Sequence, residues 1–197
     1  KNKDAGIFYS NTLFFNEKDN MPLYSSKQIS GSITSKLLTN YFLSLESVVV
    51  SRAKIDLLKI KFDNRFNFIS DFDLFTRLSA ISKAVYVSKI LSGWRVHNDS
   101  ESFKKVFLFH QEKLLWYSIN KNNKLFQNFK NELDEFKLIT NAEQKFFNKN
   151  PFLITRIDKL FSHKFSNLKN FMKYCLASIP FGKYLYKLKK LRKLKKL

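Results

Sequence analysis

The chain predicts an α/β fold in its first half followed by a mostly helical second half, and three stretches carry that prediction. Residues 46–51, Glu46-Ser47-Val48-Val49-Val50-Ser51, are a β-branched run too short for a helix. The run is also too uniformly apolar for an exposed strand, which places it in the middle of a sheet. In Ser70-Asp71-Phe72-Asp73-Leu74-Phe75-Thr76-Arg77-Leu78, a helix starting near Asp71 sets Leu74, Phe75, Leu78 and Ile81 on one core-facing side. Asp71 then sits at the mouth of that helix, where backbone N–H groups favour a negative charge. From Ser102 onward the texture changes: Phe107, Leu108, Leu114 and Leu115, then Phe129, Leu133 and Phe136, recur at helical spacing.

The remaining elements follow in chain order. Aromatic and apolar density over residues 6–15 predicts a strand, and Asn16-Glu17-Lys18-Asp19-Asn20 a polar turn before Pro22. Ser30-Gly31-Ser32 opens a short helix whose apolar positions are Ile33, Leu37, Leu38 and Tyr41. Ser51 is expected to cap a short helix running through Ile55, Leu57 and Leu58, with a turn at Phe62-Asp63-Asn64-Arg65-Phe66 after it. Ala84-Val85-Tyr86-Val87 is a strand, and Ile90 to Val96 reads as another. Polar connections at Asn120-Lys121-Asn122-Asn123 and Asn148-Lys149-Asn150-Pro151 separate the later helices, and Pro180-Phe181-Gly182 divides the last two. These signals divide the chain into residues 1–103, a helical extension over 104–180 and a basic tail over 181–197.

At 197 residues the chain has room for one domain. It opens on Lys-Asn-Lys-Asp rather than Met and runs at once into a strand pattern, so it reads as cut from a longer protein. Hydrophobic residues are 44% of the total, with 22 Phe, enough for a packed core. The single cysteine, Cys175, excludes an intramolecular disulfide and a cysteine-based metal site and fits a reducing, cytoplasmic setting. No window approaches the roughly 18 apolar residues of a membrane span, so any membrane contact is expected to be peripheral.

The net charge of +20 is concentrated: from Lys159 to the end there are 12 lysines and arginines and no acid. The tail leucines, Leu185, Leu188, Leu191, Leu194 and Leu197, are spaced by three, which rotates each back by roughly 60° and wraps them around a helix rather than along one face. Residues 183–197 are therefore expected to adhere to an anionic membrane by charge, at about 1 kcal/mol per basic residue near the surface. No groove-reading or RNA-stacking motif accompanies them, so no specific nucleic acid is expected.

Taken singly, the polar residues of the central stretch have simple structural readings. Asp71 caps a helix, Asp73 pairs with Arg77 at i,i+4, His97 is an exposed turn histidine, and Phe72 and Trp94 are core residues. Their order says more. A β-branched strand, a short helix, a Phe-Asp turn, the Asp71-Phe72-Asp73-Leu74 helix start with Arg77 six residues beyond Asp71, a strand, and Trp94-Arg95-Val96-His97 followed by Ser100 and Ser102 succeed one another. Over about residues 5–103 this succession resembles the acceptor-side half of bacterial family 2 glycosyltransferases of the GT-A fold.

The resemblance implies an incomplete GT-A core followed by a mostly helical region. It also implies an inverting transferase that moves a sugar from a nucleotide-sugar donor to a glycan or lipid-linked acceptor in cell-surface polysaccharide synthesis. Asp71 occupies the final carboxylate of the family's x-Glu-Asp motif, the base that takes the acceptor proton, with Ser70 where Glu is commonest. Asp73 and Arg77 would hold the helix mouth and touch acceptor, Trp94 would offer a plate to a sugar ring, and Arg95 would neutralise the diphosphate. His97 would reach the diphosphate or its divalent metal, Mn or Mg. The Asp-x-Asp ligands of that metal belong before the first strand, and nothing in residues 1–20 supplies them. The isolated chain is therefore expected not to turn over. The competing reading is a non-enzymatic basic helical module that binds nucleic acid or anionic membrane, with Asp71 and His97 purely structural.

Overall fold

The computed structural model describes residues 2–17, 19–97, 105–147 and 162–179, together with Gly182 and Leu185. The expected connection at 148–151, Pro180 and Phe181, Ser100 and Ser102, and the basic tail apart from Gly182 and Leu185 lie outside the described residues. The chain divides into two compact units: one holds residues 1–104 and 124–128, the other 105–123 and 129–197.

The first unit is mixed α/β. Its strands are β1 (Ala5–Phe15), β2 (Asn20–Pro22), β3 (Val48–Val50) and β4 (Lys83–Arg95), and its helices are α1 (Thr34–Thr39), α2 (Arg52–Ile55) and α3 (Ser70–Ile81). β1 pairs with every other strand, antiparallel with β2 and β3 and parallel with β4. The β1–β2 connection is the expected polar turn, in which the Asn16 N–H reaches the Asp19 carbonyl at 2.9 Å and Asn16 Oδ1 accepts from the Asp19 N–H at 2.7 Å. β2 itself had no signal, because three exposed residues ending in proline show no alternation.

Three expectations need correction. β3 lies at an edge of the sheet rather than in its middle: it pairs only with β1, over three residues, and Val49 is 68% exposed. Val48 and Val50 are partly buried against the core while Val49 between them faces solvent, so the run is a half-buried edge strand. Ser51 occupies the cap position of α2, yet its hydroxyl makes no capping bond. Its carbonyl instead accepts from the Lys54 and Ile55 N–H groups, and the helix stops at Ile55, leaving Leu57 exposed. The two strands expected over 84–87 and 90–96 are one. Val87 lies opposite Ser10, Ile90 opposite Asn11 and Ser92 opposite Thr12, so Ser88, Lys89 and Leu91 are extra residues bulged from a continuous ladder.

α1 and α3 pack with the sheet in a core built from Ile7, Tyr9, Leu37, Leu74, Phe75 and Leu78, with Ile81 partly buried against it. The apolar stripe read along α3 is thus the face that is buried. Tyr9 anchors an aromatic group with Tyr24, Phe42 and Tyr86, and its hydroxyl donates to the Ile29 carbonyl at 2.6 Å. Gly31, at φ +98°, lets the chain turn onto the start of β4, where its N–H and C=O both bond Ala84.

The second unit is helical, with α4 (Val106–Asn120), α5 (Lys130–Phe147) and α6 (Leu168–Ala177). Trp116, fully buried, meets Phe136 edge-on at 5.4 Å, while Ile139, Ala142 and Phe146 of α5 pack with Tyr174 and Ala177 of α6.

Candidate functional site at the mouth of α3

α3 begins one residue before Asp71. Its cap position is Ile69, which has no side chain able to cap, so the first-turn carboxylates Asp71 and Asp73 complement the open N–H groups by charge rather than by a capping bond. Asp71 is therefore not the helix cap. The two acids stand two residues apart, about 200° around the helix, and that separation sends them into different surroundings.

Asp73 is 2% exposed and faces Arg77 one turn on. Arg77 Nε donates to Asp73 Oδ1 at 2.9 Å and Nη2 to Oδ2 at 2.5 Å, a two-pronged bond. The same guanidinium donates to the carbonyls of Ile60 at 2.5 Å and Lys61 at 3.0 Å. The two carbonyl bonds tie the 60–61 segment to α3. With Asp73 buried and Arg77 committed to four acceptor atoms, the pair braces the helix mouth.

Asp71 is half-buried, and among the described residues its side-chain partner is the Tyr41 hydroxyl, which donates to Oδ2 at 2.8 Å. Burial pushes the Tyr41 phenol well above its ordinary range, and the adjacent Asp71 charge and hydrogen bond push it further. Tyr41 therefore keeps its proton and acts as a donor, fixing one carboxylate oxygen and leaving Oδ1 to accept another bond. The Tyr41 ring rests edge-on against Phe72 at 5.4 Å, which locks the donor in place. Sequence reasoning counted Tyr41 only as an apolar helix position; a tyrosine just past a short helix carries no signal that its hydroxyl meets a residue thirty positions later.

Trp94, Arg95 and His97 sit at the far end of β4. Trp94 is half-buried against Phe14, ring centroids 4.9 Å apart, while Arg95 and His97 are exposed. From the α3–β4 junction at Ser82, α3 leads back about 15 Å to Asp71, whereas Arg95 lies about 30 Å or more along β4. The structure brings Asp73 to Arg77 and Asp71 to Tyr41, and it sets the Trp94–His97 group in a separate part of the unit.

Among the described residues no three potential His, Cys, Asp or Glu ligands come together. Asp71-Phe72-Asp73 has the spacing of a carboxylate pair but is split by the helix, with Asp73 consumed by Arg77, and His97 alone offers one donor. No described helix is long and apolar enough to cross a membrane. Compared with known protein families, with curated proteins and with solved structures, the chain matches none.

Proposed function

We propose that the α/β unit is the acceptor-side part of an inverting family 2 glycosyltransferase of the GT-A type, with Asp71 as its base. The observation that carries the reading is the contrast within one helix turn: Asp73 is neutralised and buried, whereas Asp71 is half-exposed, oriented by a neutral donor, and has an oxygen to spare. A base needs that combination of fixed orientation and access. In the reaction, Asp71 takes the proton of an acceptor hydroxyl as its oxygen bonds the anomeric carbon of the donor. The bond from that carbon to the nucleoside diphosphate breaks on the opposite face, the diphosphate leaves with the electron pair, and the configuration inverts.

On this reading the partners are a nucleotide sugar and a glycan or lipid-linked acceptor, and Trp94, Arg95 and His97 belong to a different subsite from the base. A divalent metal at the donor diphosphate would take its carboxylates from outside these residues, so no step is routed through one. The anionic-membrane contact of residues 183–197 rests on their sequence. The test is transfer from a sugar nucleotide by a polypeptide joining these residues to a nucleotide-binding half. Asp71→Asn is expected to lower turnover by about 10²- to 10⁴-fold while donor binding stays within about twofold. Unchanged turnover would remove Asp71 from the role.

A further inference from the structure

A cleft of about 230 Å³, open to solvent, lies where the β4 bulge meets the segment after β2. Its walls carry two lysines, Lys27 and Lys89, and three serine hydroxyls, those of Ser25, Ser26 and Ser88, and no carboxylate. Lys89 and Ser88 are the residues extruded by the first register slip of β4. A regular ladder would leave them in line with the strand; the slip presents both to the cleft.

The opposite wall is fixed just as firmly. The Asn11 side chain donates to the Tyr24 carbonyl at 2.8 Å and accepts from the Tyr24 N–H at 2.9 Å, so it stands in for a strand neighbour and holds the backbone immediately before Ser25. Further along, the Ser30 hydroxyl accepts from the Tyr86 N–H at 3.0 Å, tying the end of the same segment to β4. Tyr24 and Tyr86, ring centroids 6.0 Å apart, line the cleft between the two walls. Among the described residues, Lys27 and Lys89 form no ion pair, and the three serine hydroxyls form no hydrogen bond.

We infer that this cleft binds a phosphoryl group. Two ammonium groups without acids act as point charges suited to a tetrahedral dianion, whereas no arginine fork is present to grip a planar carboxylate in two places. Serine hydroxyls supply donors to the remaining oxygens. The volume is below the roughly 300–1,000 Å³ of pockets that enclose drug-sized ligands, so it takes one phosphorylated moiety and not a whole nucleotide. The inference is independent of the role given to Asp71, since the cleft and the α3 mouth share no residue.

Titration of the whole chain with inorganic pyrophosphate, followed by calorimetry at 150 mM salt, tests it, because exposed charges beyond about 8 Å are largely screened there. The expected result is saturable binding that weakens at least tenfold in Lys27→Ala/Lys89→Ala. An equally exposed control pair, Lys59→Ala/Lys121→Ala, is expected to change it less than twofold. All four lysines are surface residues, and matching thermal melts verify that each variant is folded. A parallel arm uses phosphatidylcholine vesicles with and without phosphatidic acid. Loss of vesicle binding in the same double variant assigns the phosphoryl group to a lipid, and pyrophosphate binding without vesicle binding assigns it to a soluble ester. Equal weakening in both lysine pairs, or no saturable binding by the unaltered chain, would overturn the inference by reducing the cleft to part of the general +20 charge.

Discussion

The sheet unit and the helical unit each bury carboxylates, and they neutralise them by different means. In the sheet unit Asp73 is held by Arg77 in a two-pronged bond, and the same guanidinium also collects two backbone carbonyls. In the helical unit Glu135, with no exposed surface, is hydrogen-bonded by neutral donors, the Ser166 N–H at 2.6 Å, the Ser166 hydroxyl at 2.8 Å and Asn170 Nδ2 at 2.6 Å, with His163 Nε2 3.8 Å from its Oε2. Its neighbour on α5, Glu143, instead gathers Lys173 at 2.5 Å and Lys113 at 3.9 Å, with His110 at 3.7 Å. The lesson concerns Asp71. A fully enclosed acid in this protein has either a cation or several donors, and Asp71, with one phenol and partial exposure, has the arrangement of neither.

The largest expected effect breaks the cationic solution. Arg77→Met strands Asp73 in the core and frees the 60–61 segment, which should cost about 3–5 kcal/mol in urea denaturation followed at the sheet unit; a loss below about 1 kcal/mol would mean that the pair is not the brace described. The neutral solution should be softer. Glu135→Gln keeps one acceptor oxygen but turns an NH₂ group against donors, with an expected cost of about 2 kcal/mol read from amide exchange in α5 and α6.

Acid should weaken the helical unit. Burial by itself would raise the Glu143 carboxyl, but Lys113 and Lys173, the Lys173 hydrogen bond and His110 outweigh it and hold the group at about 2, against an ordinary 4.5. A depressed value means that the stabilisation is fully present above pH 4.5 and is lost as the pH falls from there towards 2. The helical unit should therefore weaken through that window, and Glu143→Gln should flatten the dependence; an unchanged slope in the variant would assign the acid sensitivity elsewhere. The smallest effect is expected at the candidate base, where Tyr41→Phe removes one hydrogen bond to a half-exposed group and should cost about 1 kcal/mol.

Much of the fold was readable because it rests on local pattern. The α3 stripe, the Asn16 turn, the short helix after Gly31 and the i,i+4 pairing of Asp73 with Arg77 all follow from spacing within one or two turns of chain. The misreadings share a cause, which is that neighbours in space decide them. Three valines do not reveal how many strands flank them, Ser51 does not reveal that its carbonyl rather than its hydroxyl serves the helix, and nothing near Tyr41 announces Asp71. The cleft was invisible for the same reason: Ser25-Ser26-Lys27 and Ser88-Lys89 are ordinary polar stretches until Asn11 and the bulge bring them together.

The slipped register of β4 also sets a counting rule. Residues paired across a ladder share a face, so Tyr86 lies with Tyr9, and Trp94 with Phe14. Tyr9 and Phe14 are an odd number of positions apart and hence on opposite faces of β1, yet Tyr86 and Trp94 are separated by an even number. The three bulged residues supply the missing odd step. Removing any one of Ser88, Lys89 or Leu91 while keeping the pairing on either side would leave an insertion of two and an odd separation between Tyr86 and Trp94, in step with Tyr9 and Phe14, so that simple alternation along β4 would keep both rings on their present faces. The odd length of this short insertion, more than the identity of its residues, obliges β4 to break its alternation between Tyr86 and Trp94.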